Sequence, residues 1–267
     1  MGRRSRAGRG RKPSRASRKA ENSTQSVKKK SDKKQKERTR QSRPARSLFE
    51  WIKSMAVALG IVLILRLFVF QTFFIDSGSM QNTLLVGDFV YVNRLAMGSP
   101  IPFTNLRIPG YSEPRRDDVL VFDPPHDDTL TVIKRLIGMP GDTLEMRVGQ
   151  LYLNGEPRDE PYAINDTASD SFDPDMLWQR EILLGGPRDD YRPTRDTWGP
   201  LVIPEGRYMV LGDHRWDSLD SRYWGLLERW RFRGRAVFIY FSYDRGAMRP
   251  FPWLTEVRGS RIGDRIR

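Results

Sequence analysis

Apolar residues are distributed along this chain in three ways, and each predicts a different element. From Met55 to Leu65 they run unbroken as MAVALGIVLIL, and after Arg66 they resume as LFVFQTFFI to Ile75. With Phe49, Trp51 and Ile52 in front, this gives roughly 17–20 mostly apolar residues, near the lower end of what crosses a bilayer as a helix. Residues 48–67 are therefore predicted to be a transmembrane helix. Trp51 and Lys53 suit one interface, and Arg66 lies near the other end, where its stem reaches the headgroups. Phe68 to Ile75, rich in aromatic and β-branched residues, predicts a strand leading directly into a serine-bearing turn.

Beyond Ile75 the pattern shortens to runs of four to six residues. Phe89–Val92, Val119–Phe122, Val132–Ile137, Leu151–Leu153, Tyr208–Leu211 and Ala236–Phe241 are separated by Gly, Pro, Asn and Asp, the punctuation of a β-rich domain. No long stretch has helical periodicity. Residues 154–200 carry many Asp, Arg, Pro and Asn and few apolar side chains, so they predict a polar insertion. The resulting organisation is a basic arm at 1–47, the helix at 48–67, a core at 68–150 and 204–253 interrupted by an accessory region at 151–203, and a basic, frayed tail at 254–267.

Charge sharpens this division. Residues 1–47 hold 19 Lys+Arg and 3 Asp+Glu, whereas the remainder holds 27 basic and 30 acidic residues. The arm lacks large apolar side chains and is expected to be disordered. Such a charge excess before an apolar helix places the N-terminus in the cytoplasm and everything after the helix outside, with the arm against anionic lipid. A nucleic-acid role is the rival reading of the Lys/Arg run, but no aromatic residue interrupts residues 1–48 to stack on bases. Zero cysteines exclude disulfides, thiol catalysis and thiolate metal sites. The two histidines, His126 and His214, are far apart, which argues against a His-based metal site.

The candidate chemistry is a hydroxyl paired with an amine. In Asp76-Ser77-Gly78-Ser79-Met80, Gly78 permits a tight turn that presents Ser79, with backbone N–H groups and the Ser77 hydroxyl beside it to hold an oxyanion. Lys134 lies in an apolar strand, sharing one face with Val132 and Leu136. Burial there lowers a lysine pKa and leaves a neutral amine able to take the serine proton. The competing expectation is that Lys134 reaches solvent or pairs with a carboxylate, either of which abolishes the base. In the segment Gly212–Gly225, Asp220 and Arg222 are spaced to pair and brace a loop, and Ser218 is placed to hydrogen-bond the lysine amine.

The strings SGSMxxTLLVGDFVYVNR, KRLIGMPGD and GDHRxxSxDSRYWG, in that order after one N-terminal anchor, resemble bacterial type I signal peptidases. The resemblance covers Phe73 to about Gly225 and part of Arg233–Tyr240. It implies a mainly β fold: one transmembrane helix followed by an extracytoplasmic antiparallel sheet with a smaller polar insertion. It also implies Ser79 as nucleophile, Lys134 as general base, Ser77 and the Ser79 N–H as oxyanion donors, Ser218 as orienter of the lysine, and Asp220 and Arg222 as support. Phe73, Ile75, Leu84 and Ile133 are implied to line shallow pockets for small substrate side chains.

Three positions depart from the family pattern: Asp76 and Asn82 stand where proline is common, and His214 where asparagine is. Asp76 brings negative charge close to a developing oxyanion, and His214 raises a Ser–His hydrolase as a rival. The function expected is a membrane-anchored serine endopeptidase acting on exported preproteins as they leave the translocation machinery, with no metal or cofactor. Its alternatives are a specialised serine–lysine peptidase maturing one dedicated substrate, and an inactive anchor with a nucleic-acid-binding arm.

Overall fold

The computed structural model describes residues 33, 43–68, 70–100, 107–165 and 170–267. Most of the basic arm, and with it the expected disorder, lies outside these residues. The chain divides into two compact units, Met1–Val62 and Leu63–Arg267.

Helix α1 begins in the first unit and spans Arg43–Phe68. It encloses the expected 48–67. Its described apolar side chains, from Leu48 to Leu63, are exposed, with Leu59 at 70% and Phe49 at 66%. Yet among the described residues no helix is long and apolar enough to cross a membrane. The uncharged run between Lys53 and Arg66 covers residues 54–65, and at about 1.5 Å per residue it is shorter than a hydrocarbon core of about 30 Å.

The second unit is mainly β. In chain order its strands are β1 (Phe70–Phe74), β2 (Asp88–Asn93), β3 (Gly98–Pro100), β4 (Arg107–Pro109), β5 (Val119–Phe122), β6 (Val132–Gly138) and β7 (Thr143–Arg147). There follow β8 (Gln150–Leu153), β9 (Glu156–Pro157), β10 (Trp198–Val202), β11 (Arg207–Leu211), β12 (Leu227–Glu228) and β13 (Phe232–Ser242). Seven form an antiparallel sheet in the order β1-β2-β13-β5-β6-β11-β12. Register shifts in β13 and between β11 and β6 bend it, as bulges do.

Both faces of this sheet are covered, which is why Val119–Phe122 reads as a continuous apolar run rather than an alternating one. Val119 and Val121 join Ile75, Met80, Leu84, Val90 and Ile239 in one core. Leu120 and Phe122 join Leu136, Val210 and Phe232 in another. A third core lies between the large sheet, through Ile137, Met209 and Leu211, and the four-stranded sheet β10-β7-β8-β9. The smaller sheet takes one of its two inner strands from Thr143–Arg147, before residue 151 where the accessory region is expected to begin.

The C-terminal segment differs from the expected frayed tail. Arg261 donates to the buried Asp88 (2.6 Å) and to the carbonyl of Thr83 (3.0 Å), and Ile239 N–H bonds the carbonyl of Asp264 (3.0 Å). A buried carboxylate left without a partner is costly, so Asp88 gives the basic tail a fixed docking point.

Candidate active site

The serine turn is set by hydrogen bonds on both sides of it. After β1, Ile75 N–H donates to Asp88 O and Gly87 N–H to Ile75 O, each at 2.9 Å. The chain then turns sharply, with Gln81 N–H on Gly78 O (2.8 Å) and Leu84 N–H on Met80 O (2.8 Å). Met80 and Leu84 are buried beneath and anchor the turn. Ser79, 6% exposed, sits at its head with its carbonyl accepting from His214 N–H (3.0 Å). The Ser77 and Ser79 hydroxyls are 3.4 Å apart.

Lys134 meets this turn from the middle of the large sheet. Strand β6 pairs with β5 over Val132–Arg135, but β11 reaches only as far as Arg135, so Thr131–Lys134 keeps an open edge. The Lys134 Nζ donates to Ser79 Oγ at 2.7 Å and to Ile133 O at 3.2 Å. At 5% exposure the amine is almost dry, and burial lowers its pKa from 10.5 to about 8.

That depression survives three carboxylates that act to raise it, Asp220, Asp213 and the exposed Asp217. The two buried ones are each held by an arginine instead. Arg222 donates Nε to Asp220 Oδ1 and Nη2 to Oδ2, both at 2.8 Å. Asp220 also accepts from Gly212 N–H (3.0 Å) and Ser218 Oγ (2.7 Å). Burial alone pushes the Asp220 carboxyl up, but the Arg222 charge and these bonds hold it below the ordinary range. Arg135 makes the matching fork on Asp213, with Nε to Oδ1 and Nη2 to Oδ2 at 2.7 Å, and Thr83 Oγ1 donates to the same carboxylate. With both buried acids held by guanidinium groups and Asp217 in solvent, desolvation prevails at the amine.

The expected residues are not all placed as expected. Ser79, Lys134 and Ser77 come together, and Asp220 pairs with Arg222. Ser218 gives its hydroxyl to Asp220, not to Lys134; it borders the site across Gly212, where a Cβ would stand 2.2 Å from Ser218 Oγ and 2.6 Å from Ser79 O. A small cleft of about 80 Å³ lies between the two open strand edges, and Phe73, Ile75, Ser77, Ile133 and Lys134 line it. Leu84 is fully buried in the core beneath and does not line this cleft.

His214 touches the turn only through its backbone, and its buried Nδ1 has no hydrogen-bond partner. The geometry therefore offers no Ser–His pair. Asn82 adopts φ +89, closed to proline, and its Nδ2 donates to Pro161 O (3.3 Å) and Tyr162 O (3.1 Å). Asp76 is exposed and lines the cleft.

Two functional side chains went unremarked in the sequence, Arg135 and Asp213, because their pairing spans 78 positions. A compositional sign was present for the amine: Lys134 is the only lysine after Lys53, every other cation of the β unit being arginine or histidine. Among the described residues, no group of three or more His, Cys, Asp or Glu is disposed to hold a metal.

The sequence pattern of the family described as "Signal peptidase, peptidase S26" matches residues 48–241. A signal peptidase I of Pseudomonas aeruginosa is 35% identical over 228 residues, covering 79% of this chain and 78% of the relative. One from Bacillus licheniformis is 32% identical over 199 residues, 74% of this chain and 91% of the relative. A crystal structure of a signal peptidase I from Enterococcus faecalis is 31% identical and covers 46% of this chain and 97% of its own, with a TM-score of 0.32.

Proposed function

The chain belongs to the S26 signal peptidase family, and we propose that it is a membrane-anchored serine endopeptidase that removes signal peptides from exported preproteins. The observation that carries the reading is the 2.7 Å bond between Lys134 Nζ and Ser79 Oγ, made by an amine that no carboxylate clasps.

The substrate binds as an extended strand along the open edges at Phe73–Ser77 and Thr131–Lys134, with small side chains in the shallow cleft between them. Neutral Lys134 accepts the Ser79 proton as Oγ attacks the scissile carbonyl. Charge develops on the carbonyl oxygen, where the Ser79 N–H and the Ser77 hydroxyl donate to it. The ammonium then protonates the leaving amine, whose C–N bond breaks, and an acyl-enzyme ester remains. Water attacks the ester, giving its proton to Lys134, and the peptide acid departs as Ser79 recovers its hydrogen. Asp220–Arg222 and Asp213–Arg135 act as positioning pairs that keep two acids from reclaiming the amine.

The anchor is α1. Its described apolar side chains, exposed from Leu48 to Leu63, suit a lipid environment better than water, and flanking residues lengthen the uncharged run if Lys53 and Arg66 snorkel. The basic arm then stays cytoplasmic and the β unit lies on the outer side of the bacterial cytoplasmic membrane, where preproteins emerge. Ser79→Ala and Lys134→Met each abolish cleavage of a precursor in detergent, whereas His214→Ala does not. Full activity in Lys134→Met refutes the dyad.

A further inference from the structure

We infer that Asp76 makes the substrate cleft charge-selective, favouring substrates with Lys or Arg at the second residue before the cut and disfavouring Asp or Glu there. The inference rests on the peptidase reading above and adds a substrate class to it.

The backbone supplies the first step. In an antiparallel ladder, residues alternate between pointing both main-chain groups at one neighbour and pointing both away. Ile75 spends its N–H and C=O on the β2 side, at Asp88 and Gly87. Asp76 therefore turns its N–H and C=O toward the unpaired edge, the edge that borders the cleft. An incoming strand pairs with Asp76 directly.

Side-chain alternation supplies the second. From Thr72 to Asp76 exposure alternates: Thr72, Phe74 and Asp76 are exposed, Phe73 is half-buried and Ile75 is buried. Phe73 and Ile75 face the cleft floor and Asp76 faces out. A substrate strand follows the same period, so the side chains filling the small cleft alternate with ones that stand beside Asp76. With a small residue at the cut, the outward neighbour is the second residue before it.

Charge supplies the third. Asp76 and Lys134 are the only ionisable side chains among the cleft's lining residues, and Lys134 is neutral when it acts as base. Asp76 has no ion pair among the described residues. Uncompensated, it opposes the oxyanion forming beside Ser77. A cationic substrate side chain cancels that field and forms a cross-strand pair.

Opposite charges facing each other on adjacent strands gain about 1.4- to 5-fold and like charges lose as much, so Lys is favoured over Glu by about 2- to 30-fold. The test uses three precursors differing only at that position, with Lys, Gln or Glu, and the full chain in detergent at low salt. Wild type is expected to show the Lys-over-Glu ratio in kcat/KM, Asp76→Asn to bring it near unity, and Asp76→Lys to invert it. Added salt at 0.5 M should compress the wild-type ratio. A ratio that is the same in wild type and Asp76→Asn overturns the inference while cleavage of the Gln precursor leaves the peptidase reading standing. Failure of wild type to cleave the Gln precursor overturns both.

Discussion

Replacing Gly212 by alanine places one methyl group between the nucleophile's backbone and the loop that braces the base. The new Cβ would stand 2.2 Å from Ser218 Oγ, 2.5 Å from Ser218 Cβ and 2.6 Å from Ser79 O, where ordinary contact begins at 3.4 Å. Rotation takes the Ser218 hydroxyl away at the expense of its bond to Asp220, but it leaves Ser218 Cβ at 2.5 Å, so that backbone must give as well. The Ser79 carbonyl belongs to the backbone and must retreat by about 0.8 Å, an overpacking strain of the kind that costs about 1–3 kcal/mol. For a unit of this size that is a fall of about 2–12 °C in Tm. If Oγ moves with the carbonyl, the 2.7 Å contact with Lys134 stretches to the edge of hydrogen bonding. A misplacement near 1 Å reduces catalysis about 100-fold. The assay is kcat/KM on a purified precursor, beside far-UV circular dichroism and a thermal melt. A Gly212→Ala protein with kcat/KM within threefold of wild type would refute the reasoning, because the turn would then tolerate the shift.

Three other outcomes follow from the same geometry. With Lys134 titrating near 8, kcat/KM should rise about tenfold from pH 7 to pH 9 as the amine loses its proton; an inflection near 6.5 that vanishes in His214→Ala would contradict this. A lysine held below its unfolded value destabilises the fold wherever it is charged, so stability is fully recovered only above about 10.5 and falls as pH drops towards 8. At pH 7 that penalty is roughly 3 kcal/mol, so Lys134→Met should raise Tm at pH 7 while abolishing activity; an unchanged or lower Tm would count against a dry amine. Arg222→Met leaves Asp220 buried without its partner and should cost about 3–5 kcal/mol in urea unfolding, and a loss below 1 kcal/mol would show that the clamp is idle.

Much of the site was legible because its chemistry sits on local patterns. Val132–Ile137 is an apolar run with a single lysine and arginine in it, and it is strand β6. Ser77-Gly78-Ser79 is a turn, and Asp220 and Arg222, two apart, do pair. What escaped depends on distance in sequence. The Arg135–Asp213 fork and the Asn82 bonds to Pro161 and Tyr162 join segments about 80 residues apart, and no periodicity reports them. Ser218 was expected on the amine, but a carboxylate two residues away at 2.7 Å is the stronger acceptor. Strands β7 and β10 carry weak sequence signals of a strand, for opposite reasons. Leu144 and Met146 alternate with polar residues and lack β-branching, while Gly199 and Pro200 disguise Trp198–Val202 as a loop. The basic C-terminal tail reads as frayed, yet it is fixed by partners far upstream, the buried Asp88 and the carbonyl of Thr83 on Arg261, and by backbone bonds to β13.

The central claim, a buried lysine beside a serine that loses its proton near pH 8 rather than near 10.5, is open to direct measurement. Lys134 is the only lysine after Lys53, so in protein labelled at lysine Cε with carbon-13 it should give one resonance apart from those of the arm and Lys53. The account predicts that this resonance titrates with a midpoint near 8. If every lysine signal instead titrates together near 10.5, the amine is hydrated or paired, and Ser79 has no base.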